Sequence, residues 1–182
     1  MFLRPASRGK PFAVGGKTED RHGIILTKSP EAKRKGVKTG EALWEAKAKC
    51  PDWEIVNPNY PLYISISDEA VGIYKDYTPL IQQYGLDESY MDVSNSVHLF
   101  GSPMALAKEI MHRVNEELGL TVSIGYSFCK VFAKLGSDMA GRNEIICITP
   151  ENFKEVAWPR PVSELLYVGP ATTKKLNSRG MY

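Results

Sequence analysis

The segment Leu86-Asp87-Glu88-Ser89-Tyr90-Met91-Asp92-Val93 sets two adjacent carboxylates in an apolar run. Hard divalent cations such as Mg²⁺ take oxygen ligands and share them with substrate phosphates. A pair of such ions can activate an attacking hydroxyl and stabilise a leaving phosphate oxygen. Neighbouring side chains of a strand point to opposite faces. Asp87 and Glu88 therefore reach one ion only where a turn or bulge re-aims one of them. Taken alone, an acidic pair in a hairpin is ordinarily a solvated turn, and Asp92, near the strand end, reads as structural or exposed. A second group is cationic. Lys28, Lys33, Arg34, Lys35 and Lys38 lie close together with Glu31 as the only acid among them, a pattern that on composition alone is a solvated helix face. A third is the turn Val168-Gly169-Pro170, followed by Lys174 and Lys175. Glycine there lets backbone amides approach a phosphate, and a helix N-terminus favours an anion; a plain glycine stop between two helices has the same pattern.

Other chemistries are disfavoured. The three cysteines, Cys50, Cys129 and Cys147, are scattered and odd in number, so a disulfide framework is not expected. Three histidines far apart give no zinc pattern. A net charge of +2 is too weak a bias to argue for nucleic acid by itself. No apolar run approaches the length of a membrane span. The N-terminus has no secretory hydrophobic region, so an intracellular, cytoplasmic protein without a membrane partner is expected. With 182 residues, 43% hydrophobic and 24% charged, the chain is globular in composition.

The elements that must position these residues follow from local signals. Phe12 to Val14 reads as a strand, as does Gly23 to Thr27. Ser29-Pro30 opens a short helix that Gly36 ends, and the next helix starts at Thr39 and closes before Pro51. Glu54 to Val56 is extended. Apolar residues at helical spacing from Tyr60 to Tyr77 give a long helix, and Leu80 to Val93 is a hairpin turning at Gly85. Ser102-Pro103 opens an amphipathic helix with Leu106, Ile110, Val114 and Leu118 as its stripe and Gly119 as its stop. Then come a strand over 121–126, a helix over 130–140, a strand over 145–148 and a short helix over 151–157. Pro159 and Pro161 mark a linker. The tail reads as a helix from Val162, the tight turn, and a helix from Ala171 to Ser178. Antiparallel strands covered on one face by two helices suit an α+β sandwich, ferredoxin-like if one more strand stood at the front.

The run around Asp87-Glu88 resembles the second metal-binding motif of the Y-family (DinB/UmuC-like) DNA polymerases. Arg8-Gly9-Lys10-Pro11 with Val14-Gly15-Gly16 is similar to that family's early fingers segment, and 32–40 to its phosphate-facing helix and turn. Val122-Ser123-Ile124-Gly125-Tyr126-Ser127 followed by 130–138 is similar to its palm strand and next helix. The tail resembles half of a helix-hairpin-helix thumb. The resemblance implies fingers over 1–59, a ferredoxin-like palm with two helices and its first strand missing over 60–158, and the start of a helical thumb over 159–182. It implies Asp87 and Glu88 as catalytic metal ligands for two Mg²⁺ ions. It implies Thr27, Lys33 and Arg142 as nucleotide-facing residues, and Gly169, Lys174 and Lys175 as contacts to DNA. Primer-template DNA and dNTP are the implied partners, with a sliding clamp engaged through regions absent here.

The sequence also departs from the family. The family's first strand carries an aspartate that bridges both ions, yet no aspartate precedes Asp20. Pro30 stands in place of a tyrosine, and Gly141-Arg142-Asn143 in place of a Lys-Pro-Asn run. The chain is read as starting after that strand and stopping before the little-finger domain. The resulting expectation is weakened metal binding and little or no polymerase activity as given. A non-catalytic DNA-binding or regulatory remnant is the alternative, and a palm-like nucleotide cyclase a third reading.

Overall fold

A computed structural model describes residue 7, residues 9–16 and residues 23–182. The expectation placed on Arg8 lies outside the described residues. The chain divides into two compact units, 1–62 and 63–182.

In the first unit, β1 (Phe12–Gly15) is the centre of a three-stranded sheet. It pairs antiparallel with β2 (Ile25–Lys28) and parallel with β3 (Glu54–Val56). Ser29 joins β2 to α1 (Pro30–Arg34). Its hydroxyl accepts from the amides of Phe12 and Ala32 and donates to the carbonyl of Lys10. One buried side chain thereby caps the helix and ties it to the sheet. Ala13, Ile25, Ala32, Val37, Leu43, Ala46 and Cys50 form the core. The next helix, α2, spans Leu43–Lys49 and so begins four residues after the expected Thr39. The intervening residues pair instead with the chain entering β2. Gly40 and Leu43 donate to the carbonyls of Ile25 and Gly23, and Glu41 accepts from the Ile25 amide. These bonds override the helix propensity of Glu41 and Ala42.

The second unit holds most of α3 (Tyr60–Lys75), then the hairpin β4 (Ile81–Tyr84) and β5 (Glu88–Met91). There follow α4 (Pro103–Leu118), β6 (Ile124–Ser127), α5 (Lys130–Met139), β7 (Ile145–Ile148), the short α6 (Phe153–Val156) and α7 (Pro170–Asn177). The apolar stripe of α4 packs with Ile73 and Tyr77 into a second core, against which Met91, Val122 and Ile124 lie. The α+β class is as expected. Its strands, however, form two pairs: β4–β5 is antiparallel and β6–β7 parallel. The parallel pair follows from α5, a crossover long enough to return the chain in the same direction. The expected helix from Val162 is only a 3₁₀ turn, Val162–Glu164. Tyr167 ends that stretch in the left-handed region at φ 68°, edge-on to the ring of Tyr84.

Candidate functional site

The β4–β5 hairpin presents the acidic pair. Tyr84 and Glu88 are register partners, so the chain reverses over Gly85, Leu86 and Asp87. Gly85 has φ 74°, a conformation glycine adopts without Cβ strain. Asp87 is exposed in the turn, and Glu88, the first residue of β5, is half-buried. The pair thus straddles a turn–strand junction rather than alternating along one strand. Asp92 does something else. Its Oδ1 accepts from the Ser94 amide, and hydrogen bonding from the Ser94 hydroxyl first, then from this amide, holds its carboxyl below the ordinary range.

The α5 helix supplies the opposing charge. Lys130, Lys134 and Asp138 recur every four residues and so share one helix face. Lys134 Nζ donates to Glu88 Oε1 at 2.7 Å and to Asp138 Oδ1 at 2.7 Å. Only 12% of the Lys134 side chain is exposed. Its burial works to lower the lysine pKa, but the two carboxylates outweigh it and the net shift is upward. Lys130 donates to Gln82 on β4 and lies 5.8 Å from the centre of the Tyr90 ring. Burial raises the Tyr90 phenol, and Glu88 adds to the effect against the pull of Lys134. The Tyr84 phenol is raised first by its hydrogen bond with Tyr167.

Two glycines fix how closely α5 sits on β6. Gly136 is buried in the helix, its Cβ position 3.2 Å from Gly125 Cα. A Cβ on Gly125 would lie 1.8 Å from the carbonyl oxygen of Ala133. Lys134 follows Ala133 directly, so this contact sets where its ammonium can reach.

Thr27 lies on β2, opposite Val14 of β1, with its side chain exposed. Lys33 is exposed on α1. Both belong to the first unit, and Asp87 and Glu88 to the second. Arg142 is exposed in the turn between α5 and β7, where Asn143 has φ 54° and accepts from the Val122 amide. Pro30 occupies the first turn of α1, where its missing N–H costs nothing. Gly169 is the N-cap of α7, and Lys174 and Lys175 are exposed in its last turn. Sequence reasoning did not single out Lys134 or Asp138; their four-residue spacing after Lys130 was the available signal.

Asp87 and Glu88 are hard oxygen donors within reach of solvent. Among the described residues no third Asp, Glu, His or Cys completes a metal-sized cluster with them. Mg²⁺ does not require a full protein cage, since one or two carboxylates with phosphate oxygens and water suffice. The two residues fit a site of that shared kind. Among the described residues no helix is long and apolar enough to cross a membrane.

The sequence profile described as the impB/mucB/samB family matches residues 1–138. DNA polymerase IV of Acetivibrio thermocellus is 51% identical over 181 residues, covering 100% of this chain and 45% of the relative. DNA polymerase IV 2 of Bacillus subtilis is 37% identical over 180 residues, 97% of this chain and 44% of the relative. The crystal structure of DinB from Sulfolobus solfataricus superposes with a TM-score of 0.88 at 26% identity, over 99% of this chain and 53% of that one. An insertion ternary complex of Dbh DNA polymerase gives 0.88 at 26% identity, over 98% and 53%. This chain belongs to the impB/mucB/samB family of Y-family DNA polymerases. It spans about half the length of the curated relatives it matches.

Proposed function

We propose that this chain is the nucleotide-handling part of a translesion DNA polymerase, which adds dNTPs to a primer on a template strand in the cytoplasm. Residues 1–59 serve as fingers, 60–158 as palm and 159–182 as the start of the thumb. The observation that carries the reading is the hairpin junction: Asp87 at an exposed turn, and Glu88 beside it held by Lys134 from α5. Asp87 and Glu88 are the palm's Mg²⁺ ligands. When bound, Mg²⁺ neutralises phosphate charge and lowers the barrier to attack by the primer hydroxyl. Lys33, Thr27 and Arg142 face the triphosphate; Lys33 acts as a point charge without the bidentate geometry of arginine. Gly169 with Lys174 and Lys175 holds the DNA backbone in position without reading its sequence. A sliding clamp is a further partner, engaged by parts of the longer protein.

A chimera tests this. Residues 1–182 replace the matched region of the Acetivibrio thermocellus polymerase, and primer extension is followed on a templated hairpin. Template-directed incorporation is expected, lost in Asp87→Ala and in Glu88→Gln but kept in Asp92→Asn. A folded chimera that binds primer-template yet incorporates nothing refutes the reading.

A further inference from the structure

We infer that Lys134 is the resident cation of the Glu88 site: its ammonium holds Glu88 until a divalent ion arrives, then falls back on Asp138. This rests on the reading of Glu88 as a metal ligand.

The two ion pairs of Lys134 are not equivalent. The one to Asp138 lies within α5, between residues four apart, and persists whatever happens at β5. The one to Glu88 crosses between elements 46 residues apart. A divalent ion on the Glu88 carboxylate repels an ammonium bonded to that same carboxylate. Ion binding and release of Lys134 are therefore coupled, and the coupling is reciprocal. Withdrawing the helix to relieve the repulsion would break the backbone-to-backbone packing of α5 on β6 at Gly125 and Gly136. The side chain must move instead, and a lysine stem with three ammonium donors can do so. A released ammonium this poorly exposed would be costly without a partner. Asp138 is that partner. A purely structural clasp makes the opposite demand: without Lys134, Glu88 would lose its orientation and metal affinity would fall.

The test uses this chain and Mn²⁺ alone, with free Mn²⁺ counted by electron paramagnetic resonance. Lys134→Met keeps the stem and removes the charge, and is expected to tighten Mn²⁺ binding about tenfold. Asp138→Asn is expected to weaken it a few-fold in the wild-type background and to have no effect beside Lys134→Met, since Asp138 acts only through the lysine. Lys134→Arg, which keeps the charge, is expected to bind like wild type. Should Lys134→Met fail to fold by circular dichroism, Lys134→Gln takes its place in both backgrounds, and Asp138→Asn binding Mn²⁺ as tightly as wild type overturns the inference. Three further results overturn it: Lys134→Met binding no tighter than wild type, Asp138→Asn weakening both backgrounds equally, or no Mn²⁺ binding by any variant. If Lys134→Met is no tighter while Glu88→Gln still abolishes binding, the role of Lys134 falls and Glu88 remains a ligand.

Discussion

The closest approach in the second unit gives the sharpest stability prediction. An alanine Cβ at Gly125 would lie 1.8 Å from the Ala133 carbonyl oxygen, 2.5 Å from the Ser137 amide and 2.9 Å from the Ala133 carbonyl carbon. All three are backbone atoms of α5, so no rotamer change relieves the clash. The helix must lift from β6 by roughly 1.5 Å to restore ordinary contact distances, carrying Lys134 away from Glu88. Overpacking of this kind costs about 3 kcal/mol, at the top of the usual range. Gly136→Ala is milder. Its nearest atoms are Gly125 Cα at 3.2 Å and the Ile146 carbonyl oxygen at 3.3 Å, a strain of about 1–2 kcal/mol, offset by about 1 kcal/mol of helix propensity. Gly72 in α3 has nothing within 4 Å of its Cβ position, so Gly72→Ala stabilises by about 0.5–1 kcal/mol. Urea unfolding followed by far-ultraviolet circular dichroism reads the series. For an m-value of about 2 kcal/mol/M, the midpoint drops by about 1.5 M for Gly125→Ala, drops by under about 0.5 M for Gly136→Ala and rises by about 0.3–0.5 M for Gly72→Ala. Gly125→Ala within about 0.5 kcal/mol of wild type, or Gly136→Ala costing more than Gly125→Ala, refutes the packing argument, since surface-like effects have that size.

Two capping serines should behave differently. Ser29→Ala leaves two amides and a carbonyl without their partner in a buried setting and should cost about 2 kcal/mol, read from thermal melts monitored by fluorescence. Ser102→Ala removes only the exposed cap of α4 to the Ala105 amide and should cost about 1 kcal/mol. Leu106→Ala empties a buried position beside Ile73, Tyr77 and Ile110 and should lower the second unit's stability by about 2–5 kcal/mol in denaturant titration. In acid the chain should lose stability as pH falls. Burial pushes the Glu41 carboxyl up, but hydrogen bonds from Lys49 and the Lys38 amide more than reverse it, and the net shift is down from an ordinary 4.5. A folded-state pKa below the unfolded value stabilises above about 4.5 and is lost as pH drops through the folded value. Glu41→Gln should therefore flatten the acid limb of a stability-versus-pH curve.

The legible parts of this fold were those written in neighbouring residues. Ser102 caps α4, Pro103 fills its first turn and Gly119 ends it in the left-handed region. Gly85 marks the hairpin reversal, and the extended stretch Glu54–Val56 is observed as β3. Each of these signals acts within a few residues, so the sequence displays it. Where contacts from elsewhere compete, local reading loses. Thr39 to Ala42 carries good helix formers, yet its backbone bonds to the chain entering β2. Val162 to Tyr167 has a helical look, yet Tyr167 turns back to meet Tyr84 on the hairpin.

The same distinction explains why the acidic pair was visible and its lysine was not. Asp87-Glu88 is conspicuous because two carboxylates interrupt an apolar run. Lys134 and Asp138 look like an ordinary exposed ion pair along one helix. Their meaning depends on Gly125 and Gly136, which have no side chains to display and are needed only because α5 and β6 touch backbone to backbone. The glycines determine the depth of the helix, and that depth determines whether the ammonium stops at Asp138 or also reaches Glu88. A site assembled in this way has its charges encoded in charged residues and its geometry encoded in absent ones. On the proposed reading of Glu88 as a metal ligand, Gly125→Ala should therefore tighten Mn²⁺ binding, counted by electron paramagnetic resonance, by withdrawing Lys134 without altering a ligand.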